Sequence, residues 1–540
     1  MSENVEAVEE QSAEALQRGQ RSKWSKARKA DFEGRKGNKR QKQDNWERQE
    51  RAPALDDEGN PIPKRPKKKL AVMLGYCGAG YHGMQMNPPQ KTIEGDLFQA
   101  FVKVGAIHPF NADDPKKSGF MRAARTDKGV HAAGNVISLK LMEDEDLVKK
   151  LNDVLPETIR IWGIERTNKA FDCRKMCGSR IYEYLLPTYS LIAPNPSSYL
   201  GKRIAEEDEK TPGITRKDEE SDKFWALYEE KVKEANFTEE ELQKIKDFNP
   251  TSQEEYENSG DVAALVKRFK AVESNCKRQY RISTEKLEMM REAMSMYLGH
   301  HNFHNFTIGK GFKDASASRF MKEISVSDPF VIDQTEWVSV KIHGQSFMLH
   351  QIRKMIAMAS LVVRTGCPLE RITQAFDSDK INIPKAPALG LLLEQPVYSG
   401  YNQRLNDFGY KPIDFNNYEK EMQEFKMKHI YDKIYAEEVS ENVFNAFFKF
   451  VDAYSNEGFE YLTAKGITKA EPVNTEPVKA QPAGTTEAVD LPEAPKAPET
   501  TESTEAAATT ETNAKAETDE QPNAEAQASE PKEEVTSTAA

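Results

Sequence analysis

The sequence lacks any long apolar run, although 38% of its 540 residues are hydrophobic. No stretch approaches the roughly 18 consecutive apolar residues that a membrane-spanning helix needs. The N-terminus also lacks the apolar core of a secretory signal peptide. These absences predict a soluble, intracellular protein.

Cysteine is equally scarce, with five residues in the whole chain and no Cys-X-X-Cys pair. An odd, sparse set of this kind is typical of reduced thiols in a cytosolic or nuclear protein. A zinc ion held by Cys173, Cys177, His300, His301 and His304 is conceivable from the ligand types. Because the two groups lie far apart in the chain and neither has a diagnostic spacing, the sequence favours a protein without a metal ion.

Two segments near the ends of the chain are each depleted in charge of one sign, residues 471–540 in basic residues and residues 21–42 in acidic ones. Residues 471–540 contain 16 Asp/Glu but only 4 Lys/Arg, a net charge of −12, and almost no large apolar side chain. Such a segment cannot bury enough surface to offset its chain entropy, so it is predicted to be disordered. Because the whole chain carries −11, the other residues sum to −11 + 12 = +1.

The N-terminal end is basic instead. Residues 21–42 contain 10 Lys/Arg against 2 acidic residues, and "PKRPKKK" follows at 63–69. Basic blocks of this density are typical of nuclear import signals or of arms that bind nucleic acid. The prolines in the second block favour nuclear import, and a solvated arm without function is the alternative.

Between these ends the sequence alternates between strand-like and helix-like patterns. A strand, a glycine-rich stretch and a helix capped by Thr92 come first, and later strands are separated by single helices. A helix from Ser283 to Gly299 and a buried helix over 346–364 are predicted further along. Without a uniform βα alternation, this order favours an α+β fold with a largely antiparallel sheet.

The stretch "FMRAARTDKGVHAAG", which begins at Phe120, raises the question of what Asp127 does. Asp-Lys-Gly is turn chemistry, because a short carboxylate can bond its own backbone and Gly129 tolerates positive φ. The arginines and the lysine around Asp127 also form a setting in which an ionised carboxylate lies close to a polyanion. A turn former and a site residue are both open at this point.

Two further residues are candidates for the same site. Arg353 lies in the predicted buried helix, and a buried guanidinium needs a carboxylate or phosphate partner. Asp127 is the outstanding candidate for that partner, and a surface arginine lying along Leu349 is the alternative. Tyr182 and Tyr184 share one face of a predicted strand, where a phenol either packs or stacks on a nucleobase.

Several motifs then occur in a fixed order. They are "YCGAGYHGMQ", "TIE", "RTDKGVHA", "LNDVLP", "FDCRKMCGSRIYEY", "HNFHNF", "SFMLHQIRKM" and "APALGLLL". In this order they resemble the tRNA pseudouridine synthase I family, from about Ala71 to Tyr398. The basic blocks, a charged insertion and the C-terminal helical segment resemble the eukaryotic multisite members. One departure is Met84, where bacterial members usually have Trp, and it is expected to change packing more than chemistry.

The resemblance implies a role for each candidate. Asp127 is implied to be the catalytic aspartate, Tyr182 to lie against the uracil, and Arg353 to be the buried partner of the aspartate. The expected RNA contacts are Arg125, Lys128, Arg174, Arg180 and Tyr182, with Arg125 helping to displace the target base from its stack. The carboxylate acts at the ribose, either by adding to C1′ or by taking the 2′ proton, and both routes stay open. The Tyr182 hydroxyl is a candidate for removing the C5 proton.

The resemblance also implies two pseudo-equivalent α/β subdomains that form one largely antiparallel sheet around a central catalytic cleft. Helical parts are added to them. The expected parts are a disordered basic arm (1–69), an N-terminal catalytic subdomain (70–200), a charged helical insertion (201–280), a C-terminal catalytic subdomain (281–400), a helical extension (401–461) and a disordered acidic tail (462–540).

The expected reaction is the isomerisation of specific uridines in tRNA, at several sites of the anticodon stem and loop. Small nuclear RNA and messenger RNA are expected as further substrates. No cofactor is expected, because the reaction is redox-neutral. The protein is expected to be a nuclear monomer that meets an import receptor and no membrane. A non-catalytic RNA-binding protein and a hydrolase that releases free uracil are the alternatives.

Overall fold

The structure is a computed structural model that describes residues 65–248, 255, 258–405 and 409–467. Ten strands of these residues form one sheet. The strands are β1 (Lys67–Tyr76), β2 (Met121–Arg122), β3 (His131–Met142), β4 (Ile159–Arg166), β5 (Ser179–Pro187), β6 (Gly299–Asn302), β7 (Ser318–Val326), β8 (Phe330–Ile332), β9 (Thr335–Gly344) and β10 (Leu391–Val397).

The sheet has the order β4-β1-β3-β10-β5-β9-β7-β6, with β2 paired to β3 and β8 paired to β9. All of these pairs are antiparallel except β10 with β3. The predicted α+β fold with a largely antiparallel sheet is therefore confirmed. In its middle, β10 of the expected C-terminal subdomain lies between β3 and β5 of the expected N-terminal one, so a single sheet runs through both ranges.

Helices lie between these strands in the chain and continue after the last strand. They are α1 (Ile93–Lys103), α2 (Leu147–Val154), α3 (Tyr199–Lys210), α4 (Glu219–Glu234), α5 (Glu239–Asp247), α6 (Gly260–Gln279), α7 (Thr284–Ser295), α8 (Gln351–Thr365), α9 (Glu419–Phe425), α10 (Asp432–Glu441) and α11 (Val443–Ala453). One-turn helices cover Arg371–Gln374 and Ser399–Asn402, and a π-helix, Lys426–Tyr431, joins α9 to α10.

Local signals placed several elements correctly. Thr92 and Ser283 are N-caps whose side-chain oxygens accept backbone hydrogen bonds in the first turns of α1 and α7. The charged range 201–280 is helical, as predicted, over α3 to α6. Strands β7 and β8 were not predicted, because β7 has only one fully buried residue, Met321, and lacks a clear apolar run, and β8 is only three residues long.

Two predicted helix boundaries are wrong. Helix α8 begins at Gln351, five residues after the predicted start at 346, because His350 has a left-handed backbone with φ 61° that an α-helix does not contain. Helix α7 ends at Ser295, and Gly299 opens β6 instead of ending the helix. The first difference matters for function, because it converts residues 346–350 from helix into loop.

Helix α8 forms the centre of the core. Every residue from Gln351 to Thr365 is buried except Lys354, so the prediction of a helix buried from several sides is confirmed. Near its end, Arg364 binds both carboxylate oxygens of Asp452 on α11, with Nη2 to Oδ2 at 3.0 Å. This buried pair attaches the C-terminal helices to the core.

The N-terminal boundary also differs from the expectation. Strand β1 begins at Lys67, inside the range 1–69 that was predicted to be a disordered arm. Lys69 is half-buried, its ammonium donates to the carbonyl of Gly119, and burial lowers its pKa. The last three lysines of the second basic block are therefore strand residues.

No helix in the described ranges is long and apolar enough to cross a membrane. The first basic block at 21–42 and the acidic segment 471–540 lie outside the described residues. The predictions of disorder for these two segments stay predictions. The predicted start of the disordered tail at 462 is wrong, because residues 462–467 are described and Leu462 and Thr463 are fully buried.

Candidate active site

A cleft of about 1470 Å³ opens where β2, β5 and β10 meet the start of α8. Among the described residues that line it, eight are Lys or Arg and Asp127 is the only carboxylate. The cationic residues are Arg122, Arg125, Lys128, Arg174, Arg180, Arg319, Arg353 and Lys385. A cleft with this charge balance attracts a polyanion and places a single carboxylate within its reach.

Asp127 lies in a tight turn that leads into β3. Its carbonyl accepts from the backbone N–H of Val130 at 3.1 Å, and Gly129 has φ 75°. The glycine-rich loop packs directly on this turn, since a Cβ on Gly83 would lie 2.6 Å from the carbonyl oxygen of Thr126. Asp127 therefore both forms the turn that the sequence predicts and lines the cleft.

His350 is the hydrogen-bond partner of the Asp127 carboxylate. Its Nδ1 lies 3.0 Å from Oδ2 of Asp127, and the two side chains are 16% and 31% exposed. Burial of the carboxyl group raises its pKa, but the hydrogen bond and the charge of His350 more than offset this effect. The charges of Arg353 and Lys385 act in the same direction, so the pKa of Asp127 lies below its usual range. Asp127 is therefore ionised at neutral pH.

Arg353 is buried in the first turn of α8 and lines the same cleft. Its Nε donates to the carbonyl of Ala386 at 2.6 Å, and the backbone N–H of Ala386 donates to the carbonyl of Arg353 at 3.2 Å. These two bonds fix the side chain at the base of the cleft. Its charge lowers the pKa of Asp127, and its role as the partner of the aspartate stays a prediction.

Tyr182 lies on β5, with its side chain facing the cleft. The ring is only 8% exposed and meets Phe347 edge-on, with ring centroids 5.1 Å apart. Burial raises the pKa of the Tyr182 hydroxyl to about 12. Tyr184, two residues along the strand, donates instead to the carbonyl of Pro387 at 2.8 Å and is fully buried. The two tyrosines that the sequence could not separate thus differ in environment.

The four basic residues expected to contact RNA all line the cleft. Arg125, Lys128 and Arg174 are exposed, whereas Arg180 on β5 donates to the carbonyl of Ala123 at 2.8 Å. That bond joins β5 to the segment that carries Asp127. The structure therefore brings the expected site residues into one cleft, and their contacts with RNA stay predictions.

Sequence reasoning missed several residues of this cleft. His350 was part of a quoted motif but was read as helix, and its contact with Asp127 joins positions 223 residues apart. Arg319 lies on β7, a strand that was not predicted, and its buried Nε has no hydrogen-bond partner. Only the tertiary structure could place these residues in the same cleft as Asp127.

The conceivable zinc ligands lie in other environments. His300 shares a hydrogen bond with Ser318 at 2.9 Å, while His301 bonds the carbonyl of Leu298 at 2.7 Å. His304 is buried against the ring of Phe312. Within residues 65–467, over the positions that the structure describes, no group of three or more His, Cys, Asp or Glu is placed to hold a metal ion.

The fold and the cleft define a class of protein: an α+β enzyme with one ionised carboxylate in a basic cleft that suits a nucleic acid. Comparisons with known proteins agree with this class. A family model described as tRNA pseudouridine synthase matches residues 293–399. The chain is 57% identical to tRNA pseudouridine synthase 1 of Candida glabrata over 469 residues, which cover 82% of this chain and 85% of the relative.

Two proteins of Saccharomyces cerevisiae are also similar. The identity to tRNA pseudouridine synthase 1 is 55% over 448 residues, covering 78% of this chain and 80% of the relative. The identity to tRNA pseudouridine(27/28) synthase is 43% over 375 residues, covering 69% and 96%. The chain therefore belongs to the tRNA pseudouridine synthase family. It is an RNA pseudouridine synthase, an isomerase that modifies tRNA, and such enzymes need no cofactor.

Proposed function

We propose that the protein isomerises uridines at several positions of the anticodon stem and loop of tRNA, with Asp127 as the catalytic residue. The observation that carries this proposal is a single carboxylate, held by His350, among eight cationic side chains in one cleft. The cations hold the phosphates on either side of the target uridine. The carboxylate then meets the ribose of that nucleotide.

The chemistry begins when the target nucleotide leaves its stack, at a cost of a few kcal/mol. Asp127 then acts at the ribose, by adding to C1′ or by taking the 2′ proton, and the N1–C1′ bond breaks. The uracil rotates and a C5–C1′ bond forms, while a proton leaves C5 and N1 gains one. No electron is gained or lost overall, so the residues of the cleft suffice.

Tyr182 serves mainly as the surface on which the detached uracil turns. Its ring faces the cleft and is held edge-on by Phe347. Because burial raises the pKa of its hydroxyl to about 12, the phenol is protonated at neutral pH and is a poor base for the C5 proton. A flat ring tolerates rotation of the uracil better than a fixed hydrogen-bond clamp does.

Small nuclear RNA and messenger RNA are proposed as further substrates. The cleft is wide, and its cations contact phosphates whatever the sequence of the RNA. The name of one relative specifies tRNA positions 27/28, which supports sites in the same part of tRNA for this chain. Pseudouridine mapping of cellular RNA with and without the protein tests this range of substrates, and modification confined to one tRNA position would contradict it.

The variant Asp127→Asn tests the catalytic assignment. We expect it to lose tritium release from 5-tritiated uridine in tRNA by more than about 1000-fold, because the amide can neither add to C1′ nor take a proton. Binding of tRNA, measured by filter titration, should be unchanged or tighter, because one negative charge near RNA is removed. The control is Asp153→Asn, which removes an exposed carboxylate on α2.

Three outcomes would contradict the proposal. Release of tritium by Asp127→Asn at a near wild-type rate would remove Asp127 from the chemistry. Loss of tRNA binding by the folded variant would make Asp127 a recognition residue. Free uracil among the products of the wild-type protein would indicate a hydrolase, because an isomerase leaves the mass of the RNA unchanged.

Nuclear import is proposed from the basic blocks at 21–42 and 63–69. Lys68 and Lys69 are partly buried in β1, whereas Arg65 and Lys67 are exposed. The test therefore changes Lys64, Arg65 and Lys67. We expect a chain that lacks residues 21–42 and carries Ala at these three positions to fold as a monomer. It should stay in the cytoplasm. Nuclear accumulation of this chain would contradict the proposal.

A further inference from the structure

Residues 346–350, here called the cleft loop, lie between β9 and α8 and contact two of the candidate site residues, Asp127 and Tyr182. Phe347 packs edge-on against Tyr182, and His350 bonds the carboxylate of Asp127. Leu349 lies between these two anchors in the chain, and it also lines the cleft. Its side chain is therefore presented within one residue of the Asp127–His350 contact.

Leu349 is unusual in its exposure. At 55% it is the most exposed large apolar side chain among the described residues, and it alone of the strongly exposed ones lines the cleft. Single exposed apolar residues are common on protein surfaces. Here, however, the leucine stands among eight cationic side chains at the place where a polyanion binds.

The backbone around Leu349 is fixed. The carbonyl of Leu349 accepts from the hydroxyl of Thr307 at 3.0 Å, and the N–H of Met348 donates to the side chain of Gln351 at 2.9 Å. Gln351 is fully buried, and the left-handed backbone of His350 turns the chain sharply into α8. The side chain thus cannot withdraw into the core by a small movement of the loop.

We propose that Leu349 is a wedge that enters the RNA stack and fills the space left by the target uridine when it flips toward Asp127. This inference rests on the proposed function. Leucine is among the apolar residues that proteins insert between base steps, where they partly unstack the nucleic acid. Burial of its side chain between the neighbouring bases offsets part of the cost of unstacking.

The position of Leu349 distinguishes it from the cationic residues. Arg125 lies on the Asp127 loop and Leu349 on the cleft loop, so the two approach the target nucleotide from different segments. An arginine can bind phosphate or a base edge, whereas a leucine offers only shape and apolar surface. Leu349 is therefore a positioning residue that separates the stacked bases of the RNA, whereas Asp127 acts on the ribose of the target uridine.

The test compares two RNA substrates. In one the target uridine is stacked within a paired stem, and in the other the same uridine is bulged and already unstacked. We expect Leu349→Ala to lower kcat/KM about tenfold on the stacked substrate and less than about twofold on the bulged one. Leu349→Met, which keeps an apolar side chain of similar size, should restore the rate on the stacked substrate.

A matched control removes a leucine of comparable exposure elsewhere. Leu227 on α4 is 42% exposed and lies outside the cleft, so Leu227→Ala should leave both rates unchanged. A second measurement places 2-aminopurine beside the target uridine and follows its fluorescence on binding. The increase that reports unstacking should be smaller for Leu349→Ala than for the wild-type protein.

Equal loss on both substrates would overturn the inference, because Leu349 would then hold the flipped uracil instead of opening the stack. Unchanged rates on both substrates would overturn it as well. The fluorescence increase needs binding but no turnover, so it can be measured in Asp127→Asn too. A wild-type protein that unstacks the RNA and forms no pseudouridine would contradict the proposed function while leaving the wedge intact.

Discussion

At the scale of single residues, the Asp127–His350 contact decides the electrostatics of the site. A carboxylate in a partly buried cleft tends to become protonated, because burial penalises its charged form. The hydrogen bond from Nδ1 of His350 reverses this tendency and lowers the pKa of Asp127. His350 has a left-handed backbone, with φ 61°, at the point where the chain enters α8.

Removal of His350 should shift the acid limb of the rate profile. In His350→Gly the left-handed backbone is retained without strain, but the hydrogen bond is lost, so the pKa of Asp127 should rise. Activity should then fall at a higher pH than in the wild-type protein, with tRNA binding unchanged. The measurement is the pH dependence of kcat.

His350→Asn is the matched variant for this prediction. Asparagine tolerates the left-handed backbone and keeps an N–H donor, so it should restore part of the shift. His429→Asn, on the π-helix outside the cleft, should change nothing. An acid limb that stays in place in His350→Gly would show that the contact does not tune the carboxylate.

At the scale of elements, the π-helix Lys426–Tyr431 attaches the C-terminal helices to β5. Nζ of Lys426 lies 3.2 Å from Oε2 of Glu183, and the hydroxyl of Tyr431 donates to the same oxygen at 2.7 Å. Residues five apart point about 140° away from each other on an α-helix. The longer turn of a π-helix brings both to one face. Glu183 is the neighbour of Tyr182 on β5, so this contact supports the strand that carries Tyr182.

Lys426→Met should destabilise the protein by about 3 kcal/mol, because it leaves the buried carboxylate of Glu183 without its cation. The double variant Glu183→Gln/Lys426→Met should recover part of the loss, because residue 183 is then neutral and only Glu394, the second and more exposed partner of Lys426, keeps an unpaired charge. Urea unfolding of the four proteins in this cycle measures the coupling.

The same element supplies the control. Lys428 pairs with Glu157 at 3.3 Å, and both side chains are about two-thirds exposed, at 67% and 70%. Lys428→Met should leave the free energy of unfolding unchanged, because solvent screens an exposed pair. Equal effects of the two lysine substitutions would show that the Lys426 pair is not a buried one.

At the scale of the whole molecule, buried contacts join the insertion, the sheet and the C-terminal helices. Lys286 at the start of α7 bonds Asp218, which caps α4, at 2.8 Å. Lys277 on α6 bonds Asn445 on α11 at 2.5 Å. Each contact joins parts that are distant in sequence, so we expect the described residues to unfold together instead of region by region.

Glu438 on α10 gives this stability a pH dependence. It accepts from the hydroxyl of Tyr189 and from the backbone N–H of Phe444 at 3.0 Å, and burial raises its pKa to about 7. Below its unfolded pKa of about 4.5, the carboxyl group is neutral in both states. As the pH rises to 7, the unfolded chain loses this proton first, so the folded state becomes relatively less stable.

We expect the wild-type protein to lose about 2–3 kcal/mol of unfolding free energy between pH 5 and pH 8, relative to Glu438→Gln. The amide of Glu438→Gln cannot ionise, so the unfolding free energy of the variant lacks this part of the pH dependence, even if the variant is less stable at every pH. The nearby charged group is Lys277, whose attraction reduces the effect. Urea unfolding at several pH values measures the difference, and parallel curves for the two proteins would contradict the prediction.

Much of the fold and part of the site could be predicted from the sequence. The strands β1, β4, β5 and β9 have local apolar patterns, and the caps Thr92 and Ser283 mark helix starts by their own side chains. Such signals act over a few residues, so a sequence displays them directly. The start of α8 could not be predicted, because residues 346–350 share the apolar pattern of the helix that follows them. Only the left-handed backbone of His350 sets the start of the helix at Gln351.

The sequence by itself determined the class of fold, the basic character of the cleft-forming motifs and the candidates Asp127, Tyr182 and Arg353. Only the tertiary structure decided that His350 bonds the Asp127 carboxylate, that Leu349 next to it is exposed and that Lys426 bonds Glu183 on β5. The physical reason is the range of the interactions. Periodicity and turn chemistry depend on neighbours in the chain, whereas these contacts join residues more than 200 positions apart and exist only after the sheet has assembled.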